Sequence, residues 1–447
     1  MNTTTSGLTY WSRRIDWPLM MAVGALVLIG MVAVYSAVTP MGSPMRFVIK
    51  QSIAIALGTL VFFVLSSLNY QLFRSHPGVL YGLTLVLLLA VLILGKRIHG
   101  AKSWIVMGPV SFEPVEFAKI GFILVLASLL DRPEIQISSV RLMAGAFALA
   151  AGHMLLILKE PYLGGSLVYM PIVFGMLYFA GVRPLYLLAL VFYGAVAVGI
   201  PIISIYFSVQ PQLLELHPIL NFFVASAKGA RPAIELWFLT TAIILVLWWF
   251  LRQLQVRLPW QYAFFLSAII ALGIISAHVA QHFIKDYQRK RIVVFLSPGF
   301  DPLGAGYNIL QSVIAVGSGR FFGKGLFSGS QTQLGFLPEK HTDFIFSVIG
   351  EEMGFMWACV VLVAIGLLVW RSFVIATECQ DRFGSLVAVG IGCLFGFESM
   401  MNVGMVIGLL PVAGVALPFV SYGGSHMVTS LMAVGLLQSV NFRRYIY

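Results

Sequence analysis

Charge is what this sequence has least of. Of its 447 residues only 10% are Asp, Glu, Lys or Arg while 59% are hydrophobic, where a soluble domain carries roughly one-quarter charged residues. With a mean hydropathy of +0.93, this excludes a fold solvated mainly by water, and no stretch is left for a separate soluble domain. Cysteine is almost absent too. Cys359, Cys379 and Cys393 are the only three, and Cys359 and Cys393 fall inside apolar runs, which excludes a disulfide framework. Internal repeats and low-complexity linkers are lacking. Acid is scarcer than base, giving a net charge of +11. The Lys and Arg residues are spread over short loops without a basic helix or an aromatic stacking motif, so nucleic acid is excluded as a partner. Anionic lipid headgroups or a phosphate-bearing substrate fit that charge better.

What the sequence does have is apolar runs long enough to cross a bilayer, which takes about 20 residues each. They lie near 17–38, 48–68, 79–94, 117–130, 142–158, 167–180, 185–207, 236–251, 262–282, 344–370, 386–410 and 427–440. The expected fold is therefore an all-α polytopic membrane protein of about twelve transmembrane helices. The first run follows Arg13 and Arg14, is longer than a signal-peptide core and lacks a small-residue cleavage site, so it reads as a retained span. An even count puts both termini on one side, and Arg13, Arg14, Arg443 and Arg444 make that side cytoplasmic. Arg74, Arg132, Arg141, Arg183, Arg252, Arg257, Arg371 and Arg382 thread to the same side. Lys96, Arg97, Lys102, Lys228, Arg231 and the cluster Arg289, Lys290, Arg291 fall outside against the rule, and an anionic ligand is a reason for cations there. The expected organisation is a cytoplasmic tail over 1–16 and one membrane domain over 17–447, with an extracytoplasmic loop at 284–343.

Interior charges are the next signal, because each costs about 2.5–3.5 kcal/mol at a helix centre. Glu116 and Lys119, spaced i, i+3, share a helix face and can pair, whereas Lys50 and Glu398 have no local partner. A neutralised network holding helices together is the favoured reading of these four. The long loop is the densest in glycine, charge and amide, as functional loops are. Within it, Ser312 to Gly319 is apolar enough for an interfacial or re-entrant piece. Asp301–Pro302 reads as an ordinary turn on its own, but here the carboxylate follows Arg289 to Arg291 and precedes Lys324, Lys340 and His341, cations suited to phosphate. Thr342 or Asp343 can serve as a helix N-cap. His341, Asp343 and a Glu match no strong metal spacing. Finally, LPVAGVALPFVSYGGS from Leu410 places prolines and glycines at membrane depth, tolerated only where backbone lines a cavity or is buried in protein. It reads as a wall of a lipid-accessible pocket that includes Ser421, Gly423 and Gly424, with a plain helix-connecting turn as the alternative.

Together GAKSWIVMGPVSFEPVEFAK from Gly100, EPYLGGS from Glu160, YQRKRIVVFLSPGFDPLGAGYNILQS from Tyr287, LPEKHTDFIFSVIGEEMG from Leu337 and NVGMVIGLLPVAGVALPFVSYGGS from Asn402 resemble the shape, elongation, division and sporulation (SEDS) family of peptidoglycan polymerases. SGSQTQLGFLPEKHTDFIF and the short N-terminal tail are more similar to the rod-shape, RodA-like branch than to the division, FtsW-like branch. The resemblance implies a glycosyltransferase that joins lipid II units into glycan strands with release of undecaprenyl diphosphate, for elongation and rod shape. It implies a class B penicillin-binding protein as transpeptidase partner, other elongation-complex membrane proteins around it, and the bacterial inner membrane as location. It implies a ten-helix core, to which the segment 208–283 adds about two helices, and it makes Asp301 the key catalytic position. This chain departs from the family's pattern at Tyr162, where Asp is usual and Glu160 stands nearby, at Ser297, where Asp is frequent, and at Glu398, where Gln is frequent.

The expected mechanism has Asp301 as base for the acceptor hydroxyl. Arg289, Arg291, Lys324 and Lys119 hold the diphosphate, with or without a divalent cation such as magnesium or manganese. Glu116, His341, Lys340, Ser421, Gly423 and Gly424 are the further substrate-side candidates, and no residue set is assigned as a metal site. A lipid-linked sugar flippase is the competing class, expected to show midplane charges and paired broken helices. A non-catalytic scaffold would explain the spans but not the polar loop.

Overall fold

A computed structural model describes residues 15–98, 101–107, 110–131, 140–160, 162–209, 218–256, 259–284, 286–297, 299, 301, 304 and 306–444. Arg13, Arg14, Arg132 and Arg257, on which the expected orientation leans, lie outside the described residues, as do Pro161, Lys285, Pro302, Leu303 and Ala305.

Proline opens many of the helices, because its missing N–H costs nothing in a first turn and its fixed φ suits one. The chain forms α1 (Trp17–Val38), α2 (Pro44–Ser67) and α3 (Pro77–Leu94), then a small sheet of β1 (Lys96–Ile98), β2 (Ala101–Met107) and β3 (Val110–Phe112). There follow α4 (Pro114–Leu130), α5 (Val140–Lys159), and the short α6 (Leu163–Leu167) and α7 (Tyr169–Phe179). Next come α8 (Pro184–Val209), α9 (Pro218–Lys228), α10 (Ala230–Gln253), α11 (Trp260–Phe283) and α12 (Asp286–Leu296). The last third holds α13 (Tyr307–Ser318), α14 (Ser330–Gln333), α15 (Ile345–Val348), a π-helical turn at Ile349–Met353, α16 (Gly354–Glu378), α17 (Arg382–Val406) and α18 (Gly424–Arg443).

Among the described residues nine helices are long and apolar enough to cross a membrane, so the chain is a polytopic all-α membrane protein. The other three expected runs also fall on helices, namely α4, the α6–α7 pair and α18. Helix α18 misses the apolar criterion for a physical reason. Its Ser425, His426, Thr429, Ser430, Gln438, Ser439 and Asn441 are all buried against protein, so lipid never sees them. Two polar stretches are more ordered than their composition suggests. The segment at 284–343 contains α12, α13 and α14, and the one after Lys96 holds antiparallel strands in the order β1-β2-β3, with Ile105 opposite Phe112 and Val106 opposite Ser111. Backbone that leaves a helix still has to pair its N–H and C=O groups, and strands do that locally.

The chain divides into two compact units, residues 1–182 with 308–447 and residues 183–307. In the larger unit α18 lies along α2, where Gly435 permits the approach: a Cβ there would sit 2.9 Å from the Phe62 carbonyl oxygen. Gly30 does the same for α1, since its Cβ would fall 2.7 Å from Val420 Cα. Such small-residue contacts are how membrane helices gain dispersion energy without a hydrophobic drive. The smaller unit packs α8, α9, α10 and α11 around Ile200, Ala227, Leu236, Ile274 and Ala277, with Tyr193 hydrogen-bonded to Ser276 at 2.7 Å. Helices α10 and α11 occupy the apolar runs expected at 236–251 and 262–282.

Candidate active site

The larger unit carries a buried ionic cluster. Lys119 on α4 donates to Glu116 Oε1 one turn earlier at 2.7 Å and to Glu398 Oε1 on α17 at 2.5 Å. Glu116 also takes His426 Nδ1 of α18 at 2.8 Å. All four side chains are buried, so the partner that Glu398 lacked locally is supplied from 279 positions away. Glu116, Glu398 and His426 each place a ligand atom within 4.8 Å of the others, the spacing of a cation site. The Lys119 ammonium already serves both carboxylates, so the cluster as folded does not fit a divalent ion. His426 was missed from the sequence, and its only signal was a polar side chain at the start of a span.

The glycine- and proline-rich segment after α17 is buried in protein, and side chains satisfy its backbone. Asn402 Nδ2 donates to the carbonyls of Val415 (2.7 Å) and Asp343 (2.9 Å). Ser421 Oγ donates to the Thr342 carbonyl at 2.7 Å and accepts from Leu417 N at 2.8 Å. Gln51 of α2 bonds the Ser421 carbonyl and the Gly423 N–H at 3.3 and 3.2 Å, and the Tyr162 hydroxyl donates to the Gly414 carbonyl at 3.2 Å. Ser421 and Tyr422, whose N–H donates to the His341 carbonyl at 2.9 Å, thus stitch this segment to residues 341–342, Gly423 is held by Gln51 instead, and His341 packs edge-on against Phe47 with ring centroids 5.5 Å apart. Gly424 begins α18.

The loop before α15 is anchored by adjacent carboxylates of the π-helical turn. Glu351, wholly buried, accepts from Lys324 Nζ (2.9 Å), Ser330 Oγ, Gln331 N, Thr332 N and Thr332 Oγ. Glu352 accepts from Ser36 Oγ of α1, Phe327 N and Gln333 Nε2. Lys340 is buried and donates to the Thr332 carbonyl. Burial pushes its ammonium below the usual lysine range, partly offset by Glu352 and Glu351. Glu160, between α5 and α6, is buried with neither carboxylate oxygen hydrogen-bonded to a described residue, and burial pushes it up to about 8.

In the smaller unit, α12 presents Arg289, Lys290 and Arg291, all exposed, with Arg289 Nη2 donating to the Gln281 carbonyl of α11 at 3.2 Å. Asp301 follows in a turn whose carbonyl accepts the N–H groups of Gly304 (3.3 Å) and Gly306 (3.0 Å). The half-buried Asp301 carboxylate lies so close over Gly304 that a Cβ on that residue would come within 2.3 Å of Oδ2. Glycine at 304 is therefore a steric requirement of this carboxylate position.

The model of the FtsW, RodA and SpoVE cell cycle proteins matches residues 15–223 and 238–446. The chain belongs to this family. Relatives of this FtsW/RodA/SpoVE member include the peptidoglycan glycosyltransferase RodA of Treponema pallidum, 31% identical over 96% of this chain and 98% of that protein. The Escherichia coli peptidoglycan glycosyltransferase MrdB is 30% identical over 98% and 96%. Among solved structures, a peptidoglycan synthase complex that coordinates polymerization and crosslinking superposes with a TM-score of 0.67 at 28% identity, covering 96% of this chain and 98% of that one. Thermus thermophilus RodA gives 0.58 at 26% identity over 96% and 97%. The resemblance drawn from the motifs and the family found by comparison agree.

Proposed function

We propose that this FtsW/RodA/SpoVE member is a peptidoglycan glycosyltransferase that polymerises lipid II at the outer face of the bacterial inner membrane, in cell elongation, beside a class B transpeptidase. The observation that carries the reading is near-full-length identity of 30–31% to proteins named peptidoglycan glycosyltransferase. Likeness to a complex of polymerization and crosslinking supports the transpeptidase partner. The excess of basic residues at Arg443 and Arg444 supports cytoplasmic termini, which puts α12 and Asp301 outside.

The donor's diphosphate is already a stable leaving group, so the chemistry needs a base and positive charge more than a strong acid. In this reading the Asp301 carboxylate takes the acceptor hydroxyl proton during attack on the anomeric carbon, giving inversion in a single displacement. Arg289 and Arg291, exposed and carrying no carboxylate partner among the described residues, are the cations for the diphosphate. Lys119 and Lys324 are held by carboxylates of their own, so they contribute through the fold. No step is routed through a metal.

Purified protein in detergent with lipid II tests the reading, because only a polymerase makes long glycan where there is no membrane to cross. The Asp301→Asn variant should lose about 10²- to 10⁴-fold in rate while keeping its elution profile and melting temperature. Wild-type rates from that variant would remove Asp301 from the role, and absence of glycan from the wild type with its partner present would favour the flippase class.

A further inference from the structure

Between α1 and α16 the larger unit holds a groove of about 540 Å³ whose lining is apolar. Its floor is low because the side chains there are small: Ala22 and Ala25 on α1, Ala364 and Cys359 on α16. Both helices are spans, so hydrocarbon faces the groove. At one end Asp16 caps α1 and pairs with Arg371 of α16 at 2.6 Å, closing that end with a neutral ion pair. At the other end the turn after α13 folds over the mouth. Phe355 N donates to the Arg320 carbonyl at 2.9 Å and Met356 N to the Phe321 carbonyl at 3.2 Å, so Phe321 is fixed against the groove beside Phe355, ring centroids 6.1 Å apart.

That turn carries strain. Arg320 has φ +51, a left-handed conformation that is unfavourable for a non-glycine residue and persists only when its surroundings enforce it. Its exposed guanidinium, which no carboxylate among the described residues neutralises, belongs to the residue whose carbonyl holds Phe355 at the groove's mouth. On α16 the groove runs from Phe355 to Leu367, a rise of about 18 Å at about 1.5 Å per residue. A single hydrocarbon chain is slim enough to lie along that length.

The geometry points to a binding site for an anionic diacyl phospholipid, one acyl chain in the α1–α16 groove under Phe321 and the headgroup phosphate at Arg320. One cation at an anionic headgroup is worth about fivefold in affinity, which sets the expected preference.

The test is native mass spectrometry of the full-length protein in detergent, titrated with phosphatidylglycerol, phosphatidylcholine or undecaprenyl phosphate. Wild type should retain phosphatidylglycerol about fivefold better than phosphatidylcholine. Arg320→Gln, on an exposed side chain that leaves the fold intact, should abolish that preference, and Ala364→Phe, which fills the floor, should weaken both lipids. Equal retention of the two phospholipids, a preference unchanged in Arg320→Gln, or displacement of phosphatidylglycerol by stoichiometric undecaprenyl phosphate would each overturn the assignment.

Discussion

Replacing Lys119 by Met removes the one ammonium that two buried carboxylates share. Glu116 keeps His426 at 2.8 Å, but Glu398, with about 2% of its surface exposed, is left as an uncompensated charge on α17. Breaking a buried pair by deleting one partner costs about 3–5 kcal/mol. Glu398→Gln is gentler, because Lys119 retains Glu116 at 2.7 Å and the amide oxygen can still accept, so about 1–2 kcal/mol is expected. The double variant Lys119→Met, Glu398→Gln removes the orphaned charge and should recover about 2 kcal/mol relative to Lys119→Met alone, which in the mutant cycle is a coupling of about 3–4 kcal/mol. Unfolding entropy of about 2.1 cal/mol/K per residue makes 1 kcal/mol worth about 1 °C in a chain of 447 residues. Melting temperatures followed by tryptophan fluorescence in one detergent should therefore fall by about 3–5 °C for Lys119→Met and about 1–2 °C for Glu398→Gln. A double variant less stable than Lys119→Met by the full cost of Glu398→Gln would show that the charges act independently, and the shared-ammonium account would fail.

Three further outcomes follow from the geometry. Glu351→Gln removes the charged acceptor of the 324–332 loop, a loss of about 2 kcal/mol, and amide exchange at Gln331 and Thr332 should speed about 30-fold; unchanged protection would mean the loop is held elsewhere. Gly30→Val drives a side chain into the backbone at Val420, 2.7 Å from the new Cβ, and should prevent recovery of folded protein in the membrane fraction, while Gly24→Val, with open space around it, should be tolerated. Burial raises Glu160 from 4.5 to about 8, so the folded protein keeps a proton that the unfolded chain releases. Stability is therefore fully present below about pH 4.5 and is lost as pH rises toward 8, by at most about 5 kcal/mol. Glu160→Gln should flatten the melting temperature between pH 5 and 8, and an unaltered slope would exclude Glu160 as its source.

The spans were readable because lipid exposure demands long apolar runs, and α1, α2, α3, α8, α10 and α11 present such surfaces. Helix α18 was readable only as a short run, since its ends carry the polar side chains that bond neighbouring helices. The i, i+3 pair Glu116–Lys119 was legible for the same reason any local spacing is, whereas the links to Glu398 and His426 depend on how α4, α17 and α18 come together, which no periodicity encodes. The strands β1 to β3 were missed because Lys96 to Phe112 looks like a polar interruption, and only backbone pairing distinguishes it from a loop. The prolines and glycines after Leu410 read as a wall of a lipid-accessible pocket, whereas the segment is held inside protein by the side chains of Gln51, Asn402 and Tyr162, which come from three other helical regions and carry no sequence signal of that role.

The cations that the sequence offers for an anionic ligand separate by what the fold does with them. Lys119 and Lys324 sit on carboxylates, at 2.7 and 2.9 Å, and Lys340 on a carbonyl inside the protein. A charge already neutralised in a low-dielectric setting must break its own pair to bind a phosphate, which forfeits most of what the new contact would give. Arg289, Lys290 and Arg291 on α12 face water and carry no such penalty, but salt screens them, over a Debye length of about 8 Å at physiological ionic strength. Donor binding that depends on α12 should therefore weaken steeply between low and high salt, and the Arg289→Gln, Arg291→Gln variant should lose most of that salt dependence along with affinity. If the neutralised lysines were the ligands instead, the salt slope would survive in that variant and disappear in Lys324→Gln.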